Sequence, residues 1–229
     1  MNEAAAPAGI ETFPDAGAQA DAACALISNA LRAGGALAVC GGRSPVATFE
    51  RLATAPIDWS RVIVTLADER WVSPASPDSN ERLAREHLLH GPAAAARLIP
   101  LWSDGASPEG AAAWAEAALT GLLPFRAALL GMGEDGHFAS LFPSSPILAE
   151  GLDLSSPRLC LAAPAGVPAP PQPRITLTLR ALVQTDLIVL LASGAAKRQV
   201  LEAALAGADF PVAALLAQRR APVHILWSP

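Results

Sequence analysis

The sequence predicts an open α/β fold, a mostly parallel sheet with helices on both of its faces, and three observations carry that expectation. Short β-branched or Leu-rich runs alternate with longer Ala-rich stretches of helical period, the βαβ pattern. Several of the short runs are apolar at every position, as strands must be when both faces are covered. Helix-start signals recur between them. At 229 residues the chain can bury roughly 70% of the surface its unfolded form exposes, and we expect a single domain over 1–229.

The Ala/Pro-rich stretch Met1–Gly9 reads as a flexible tip. Ala18–Arg32 has helical period, and Ala36–Cys40 is the first strand. The segment Gly41-Gly42-Arg43-Ser44-Pro45 follows, where Ser44 and Pro45 read as the N-cap and first-turn proline of a helix over Pro45–Leu52. Val62–Leu66 is the second strand. Asp78, with Glu81 three residues on, reads as a capping box at the start of a helix over Ser79–Leu89. Ser107-Pro108 repeats the serine and proline start for Pro108–Leu122. Strands Ala127–Gly131 and Leu159–Ala163 come next, then a loop over Pro164–Pro173 and a strand Ile175–Leu179. Leu187–Leu191 lies in the most apolar stretch, Leu187 to Ala196, which Asp186 and Lys197 bracket well short of the about 20 residues a bilayer requires. Helices Ala195–Leu205 and Val212–Gln218 and the strand Val223–Trp227 complete the order, with no internal repeat.

Composition narrows the function classes. A hydrophobic fraction of 52% excludes a disordered chain. A net charge of -5 offers no basic field, so nucleic acid and anionic membrane surfaces are not expected partners, and an anionic substrate would need a few local cations. The opening MNEAAAPAGIETFPD has neither a basic nor an apolar leader region, so a cytoplasmic address is expected. Cys24, Cys40 and Cys160 are odd in number and widely spaced, which reads as three reduced core thiols and not as a disulfide framework or zinc site. His87 and His90 can share a helix face, but without a nearby third ligand they read as exposed. The absence of a G-x-S-x-G elbow removes the serine-hydrolase route.

Parallel α/β sheets place their chemistry at the carboxyl ends of strands. The Gly41-Gly42-Arg43-Ser44 turn could cradle a phosphate on backbone N–H groups, although an ordinary glycine-rich turn explains it equally well. Asp68-Glu69-Arg70 follows the second strand, and Ser79-Asn80 stands at the mouth of the next helix; a surface salt-bridged turn accounts for one or two of those three charges more easily than for all three. After the third strand, Gly131-Met132-Gly133-Glu134-Asp135-Gly136-His137 contains G-x-G-x-x-G. It lies mid-chain and Pro143 soon interrupts any helix, so the dinucleotide reading is set aside. Asp135 and His137 across a glycine suit a general base, against the commoner reading of a histidine in a structural hydrogen bond. Lys197 in a helix's first turn opposes the macrodipole unless an anion sits there, whereas Arg174 alone reads as a solvated residue entering a strand.

Taken together, GGRSP, ADERWV followed by SN, LLGMGEDGHFASLFP, RITLTL and SGAAK resemble the 6-phosphogluconolactonases, within the larger group that includes glucosamine-6-phosphate deaminases, from about Ala36 to Trp227. The deaminases typically continue after the histidine with an Ile-Ala-Phe-Asn-Glu-Pro type sequence, whereas this chain reads Phe138-Ala139-Ser140-Leu141-Phe142-Pro143. Arg43 departs from the commoner Ser-Thr of the glycine loop and adds a cation. The resemblance implies a Rossmann-like, sugar-phosphate isomerase/deaminase-like sheet and hydrolysis of 6-phospho-D-glucono-1,5-lactone, a small sugar phosphate, without metal or organic cofactor. It places His137 as the base on water, with Asp135 orienting the imidazole or contacting the sugar. Phosphate would lie among Gly41, Gly42, Ser44, Arg174 and Lys197, Asp68 and Asn80 would face the sugar, and Arg70 or loop N–H groups would meet the oxyanion. An amino-sugar-phosphate deaminase or isomerase, with Asp68 moving the proton, and a non-catalytic sugar-phosphate-binding regulator are the alternatives.

Overall fold

The structure, a computed structural model, describes residues 9–104, 107–166 and 171–229. The expected N-terminal tip, apart from Gly9, and residues 167–170 of the expected Pro-rich loop lie outside the described residues. In chain order the elements are β1 (Ile10–Thr12), α1 (Ala16–Ala30), β2 (Gly35–Val39), α2 (Val46–Ala53), β3 (Val62–Leu66), β4 (Asp68–Arg70), α3 (Asn80–His87), β5 (Arg97–Ile99) and α4 (Pro108–Thr120). There follow β6 (Ala127–Gly131), α5 (Leu148–Leu152), β7 (Cys160–Ala163), β8 (Arg174–Leu177), α6 (Leu179–Leu182), β9 (Ile188–Ser193), α7 (Ala195–Leu205), α8 (Pro211–Ala217) and β10 (Val223–Ser228).

Seven strands form one sheet in the order β1-β10-β9-β6-β2-β3-β5, every neighbour parallel. Leu37, Ala38 and Val39 of β2 are consecutive and all fully buried. Successive strand residues point to opposite faces, so both faces of the sheet are covered, and the continuously apolar runs are thereby explained. Helix α1, capped by Asp15 Oδ1 accepting from Ala18 N at 2.8 Å, packs on β9, β10 and α2. Its buried Gln19 donates through Nε2 to Ala192 O at 2.8 Å and Leu226 O at 2.7 Å, which ties it to the carboxyl ends of β9 and β10. No helix among the described residues is long and apolar enough to cross a membrane.

The parallel sheet is only part of the architecture. The runs expected as strands near Leu159–Ala163 and Ile175–Leu179 pair antiparallel as β7 and β8, and with β4 they form a separate three-stranded sheet. Among the described residues no crossover helix lies between β7 and β8, which pair antiparallel, and Thr178 and Leu179 leave the strand to cap and open α6. The two sheets are joined at Ala67, which donates to Val39 O at 2.7 Å and accepts from Leu177 N at 2.8 Å. The chain therefore leaves β3 and turns at once into β4, carrying Asp68, Glu69 and Arg70 onto the small sheet.

Several local expectations are corrected. Ser44 caps nothing: α2 starts at Val46, with Pro45 before it, which leaves Ser44 in the turn. Ser79, not Asp78, caps α3, its Oγ accepting from Arg82 N at 3.1 Å, whereas the Asp78 carboxylate accepts from Gln172 Nε2 at 3.3 Å and the Asp78 carbonyl from Arg70 Nη1 at 2.6 Å. Ser107 does cap α4, accepting from Gly110 N at 3.1 Å. Cys40 and Cys160 are core residues, but Cys24 on α1 is only partly buried, its Sγ 3.7 Å from Ser28 Oγ. His87 and His90 are partly exposed and do have an acid nearby, since Glu50 of α2 meets them at 2.6 and 3.3 Å.

From β2 the chain builds outward to β3 and β5, then returns to place β6 on the other side of β2. The order thus reverses between β2 and β6. Open parallel sheets bind ligands in the crevice outside the carboxyl ends at such a point.

Candidate active site

A cleft of about 290 Å³ opens there, lined by Gly41, Gly42 and Ser44 after β2, Asp68 and Arg70 of β4, Asn80 of α3, His137 after β6, Arg174 of β8 and Lys197 of α7. Of the residues expected from sequence, only Asp135 is absent from the lining, and it reaches the cleft through His137. Cys40, Arg43, Met132 and Ala139 also line it.

The loop after β6 is folded on itself around its glycines. Gly133 N donates to His137 O at 2.9 Å and Gly136 N to Gly133 O at 3.1 Å, and no helix opens on Gly136. Gly136 has φ +77°, the left-handed region that favours glycine. At Gly133 the requirement is space, because a Cβ would come within 2.3 Å of the His137 ring and 2.5 Å of Asp135 Oδ1. The tight turn brings His137 Nδ1 to 2.5 Å from Asp135 Oδ1. Burial pushes the Asp135 carboxyl up, but the hydrogen bond and charge of His137 outweigh it and hold the carboxyl below the usual aspartate range. Phe142 packs against the imidazole at 4.3 Å between ring centroids. With Nδ1–H donated to the carboxylate, Nε2 is the nitrogen left to accept a proton.

The other wall is built from β4 and α3. Glu69 is buried and accepts from Arg70 N, Asn80 N, Glu81 N and Ser79 Oγ at 2.7, 2.8, 2.7 and 3.0 Å. It serves as the acid at the start of α3 that the sequence assigns to a local capping box, and it fixes Asn80 in the cleft. Asn80 Nδ2 donates to Asp68 O at 2.8 Å and to Asp68 Oδ1 at 3.2 Å. Gly41 faces this amide, and a Cβ there would fall 1.8 Å from Asn80 Oδ1. Gly42 has φ +85° and open space beside it, so its need for glycine is conformational.

The cations are incompletely matched. Arg174 is buried, with Nη1 3.9 Å from Asp68 Oδ2, Cζ 5.3 Å from the Phe142 centroid and Nε without a hydrogen-bond partner. Arg70 donates to Asp78 O, but its Nε is likewise buried and unpartnered. Burial lowers the pKa of both Arg174 and Lys197; Asp68 opposes the shift at Arg174, and at Lys197 Glu134 opposes it while Arg43 adds to it. A buried cation without a full set of acceptors is a standing demand for an anion. Cys40, by contrast, is a thiol pushed up to about 12 by burial, so it offers no nucleophile.

Two residues of the site carry no local signal of their roles in the sequence: Glu69, which supports the start of α3, and Phe142, the ring shared by His137 and Arg174. The three-charge run marked Glu69 as unusual, but its partners lie beyond the helical spacing that capping rules read.

An open parallel sheet with an acid-oriented imidazole and unmatched cations at its switch point defines a class, the α/β enzymes that act on small anionic substrates. The family follows from comparison: residues 14–227 match Glucosamine-6-phosphate isomerases/6-phosphogluconolactonase, and the chain belongs to that family. A 6-phosphogluconolactonase from Caulobacter vibrioides is 51% identical over 191 residues, 83% of this chain and 82% of its own. One from Pseudomonas aeruginosa is 44% identical across 100% of this chain and 99% of its own. The crystal structure of a 6-phosphogluconolactonase from Shewanella baltica superposes with a TM-score of 0.90 at 36% identity, covering 100% of this chain and 99% of that one.

Proposed function

We propose that this chain, acting as one cytoplasmic domain, hydrolyses 6-phospho-D-glucono-1,5-lactone to 6-phospho-D-gluconate with His137 as the base. The observation that carries this reading is the 2.5 Å pairing of His137 with Asp135 inside a cleft that also holds Arg174 and Lys197. Relatives of this activity at 44–51% identity support the reaction. No feature of the cleft favours the deaminase or regulator alternatives.

His137 Nε2 takes a proton from water as the water oxygen attacks the lactone carbonyl carbon. When the tetrahedral intermediate collapses, the bond to the ring oxygen breaks and the imidazolium returns the proton to that oxygen. Asp135 keeps the ring in the tautomer that permits both transfers and stabilises the imidazolium between them. Lys197, Ser44 and the backbone N–H groups of the Gly41-Gly42 turn hold the phosphate. Arg174, which lies between Phe142 and Asp68, serves the phosphate or the developing oxyanion, and Arg70 is the other candidate for the latter. Asp68 and Asn80 face the sugar hydroxyls. Free thiols, as in Cys40 and Cys160, fit a reducing compartment.

The test is an assay of freshly generated lactone beside glucosamine 6-phosphate, with uncatalysed hydrolysis subtracted. The proposal expects turnover of the lactone alone. Release of ammonia from the amino sugar, with no lactone turnover above background, would overturn it.

A further inference from the structure

Ser140 lies outside the machinery assigned above, yet the loop carrying His137 is distorted to place it. Its side chain is fully buried, and its Oγ donates to Asp68 Oδ2 at 2.6 Å, the length of a charge-assisted hydrogen bond. Its backbone N donates to Thr176 Oγ1 on β8 at 3.1 Å. The preceding residue, Ala139, has φ +48°, a left-handed conformation that a side chain with a Cβ disfavours. Phe138, fully buried between His137 and Ala139, anchors the loop to the core, so the turn at Ala139 aims Ser140 inward. Backbone strain of this kind persists where the surroundings over-determine it.

Asp68 is thereby held from both sides. Ser140 donates to one carboxylate oxygen and Asn80 Nδ2 to the other, at 2.6 and 3.2 Å, with Arg174 Nη1 at 3.9 Å. A carboxylate fixed this way keeps its remaining lone pairs for an acceptor role in the cleft it lines. Ser140 itself is excluded as a nucleophile, because its Oγ is sealed from the cleft and committed to Asp68. We infer that Ser140 is a positioning residue, which sets Asp68 to accept a substrate hydroxyl and links the His137 loop to the strand that reads the sugar. This rests on the reading of Asp68 as a sugar contact.

The experiment is a double-mutant cycle of Ser140→Ala and Asp68→Asn, read in lactone turnover and in 6-phosphogluconate binding. Each single variant is expected to raise KM and weaken product binding by about tenfold, the worth of a hydrogen bond to a charged group. The pH profile of kcat should keep its wild-type shape, because the Asp135 and His137 pair is untouched. In the Asp68→Asn background, Ser140→Ala should cost less than about twofold more, since the charge that strengthens its hydrogen bond is gone. If Ser140→Ala does not fold, Ser140→Cys, close in volume but a weak donor, carries the same cycle. Losses that multiply, or a folded Ser140 variant with wild-type KM, would overturn the inference. Because the cycle is also read in binding, coupling without wild-type lactone turnover would overturn the proposed reaction and leave the role of Ser140 standing.

Discussion

At the scale of single residues, Gly133, Arg174 and Lys197 are the positions where substitution should tell most. A Cβ at Gly133 would overlap the His137 ring at 2.3 Å, so Gly133→Ala must displace the imidazole. Misplacement of a catalytic group by about 1 Å can cost roughly a hundredfold, and kcat is expected to fall by that order while the fold survives, as judged by circular dichroism. Lys197→Met and Arg174→Met test the anion site. If both meet the phosphate, each should weaken 6-phosphogluconate binding by roughly 1.5–3 kcal/mol and leave gluconate binding unchanged. An Arg174 variant that binds phosphogluconate normally but loses kcat would place its guanidinium on the oxyanion instead. Lys197 also sets a pH limit. Burial lowers its pKa, and only the protonated amine attracts the phosphate, so affinity should fall as pH rises, beginning below the free-lysine value of about 10.4. A calorimetric titration of 6-phosphogluconate across the alkaline range would show this, and the slope should be missing in Lys197→Met.

At the scale of elements, the junction of β4 and α3 is the part least visible in the sequence. Glu69 gathers donors from the start of α3 that lie 10–12 residues away, and Ser140 meets Asp68 across 72 residues. Capping rules read offsets of three or four residues, so the sequence points to Asp78 where the fold uses Glu69 and Ser79. The small antiparallel sheet was hidden for a related reason: Asp68–Arg70 is too short and too charged to read as a strand without its partner β8. The strand ends were legible because they are local. Each apolar run stops where Gly41, Asp68, Gly131 or Ser193 begins the segment that turns into the cleft or opens the next helix. Glu69 yields a stability prediction. Burial pushes it up to about 7 from an ordinary 4.5, against the pull of its four donors. The folded chain then binds more protons than the unfolded chain between those values, so stability should fall as pH rises through that window. Unfolding temperatures from about pH 5 to 7 should decline for wild type and lose that slope in Glu69→Gln. A wild-type curve that rises across the window would mean the four donors keep Glu69 ionised.

At the scale of the whole molecule, the Asp135 and His137 pair proposed as catalytic, Asp68, Arg174 and Lys197 come from β4, β8, α7 and the loop after β6, with the glycine turn after β2. No two of those segments are neighbours in the chain. They converge because the strand order reverses between β2 and β6, which opens a crevice, and because β4 and β8 of the small sheet contribute Asp68, Arg70 and Arg174 to its lining. The molecule carries a net charge of -5, so the field that draws a phosphorylated substrate has to be local to this crevice. The two proposed tasks, holding the anion and moving the proton, fall to different residues and can be measured apart. The most direct test is to compare His137→Ala with wild type in both lactone kcat/KM and 6-phosphogluconate affinity. With His137 as the base, kcat/KM should fall by roughly 10²–10⁴-fold, the usual worth of a general base, while affinity stays within about twofold. A folded His137→Ala variant that still hydrolyses the lactone near the wild-type rate would contradict that role.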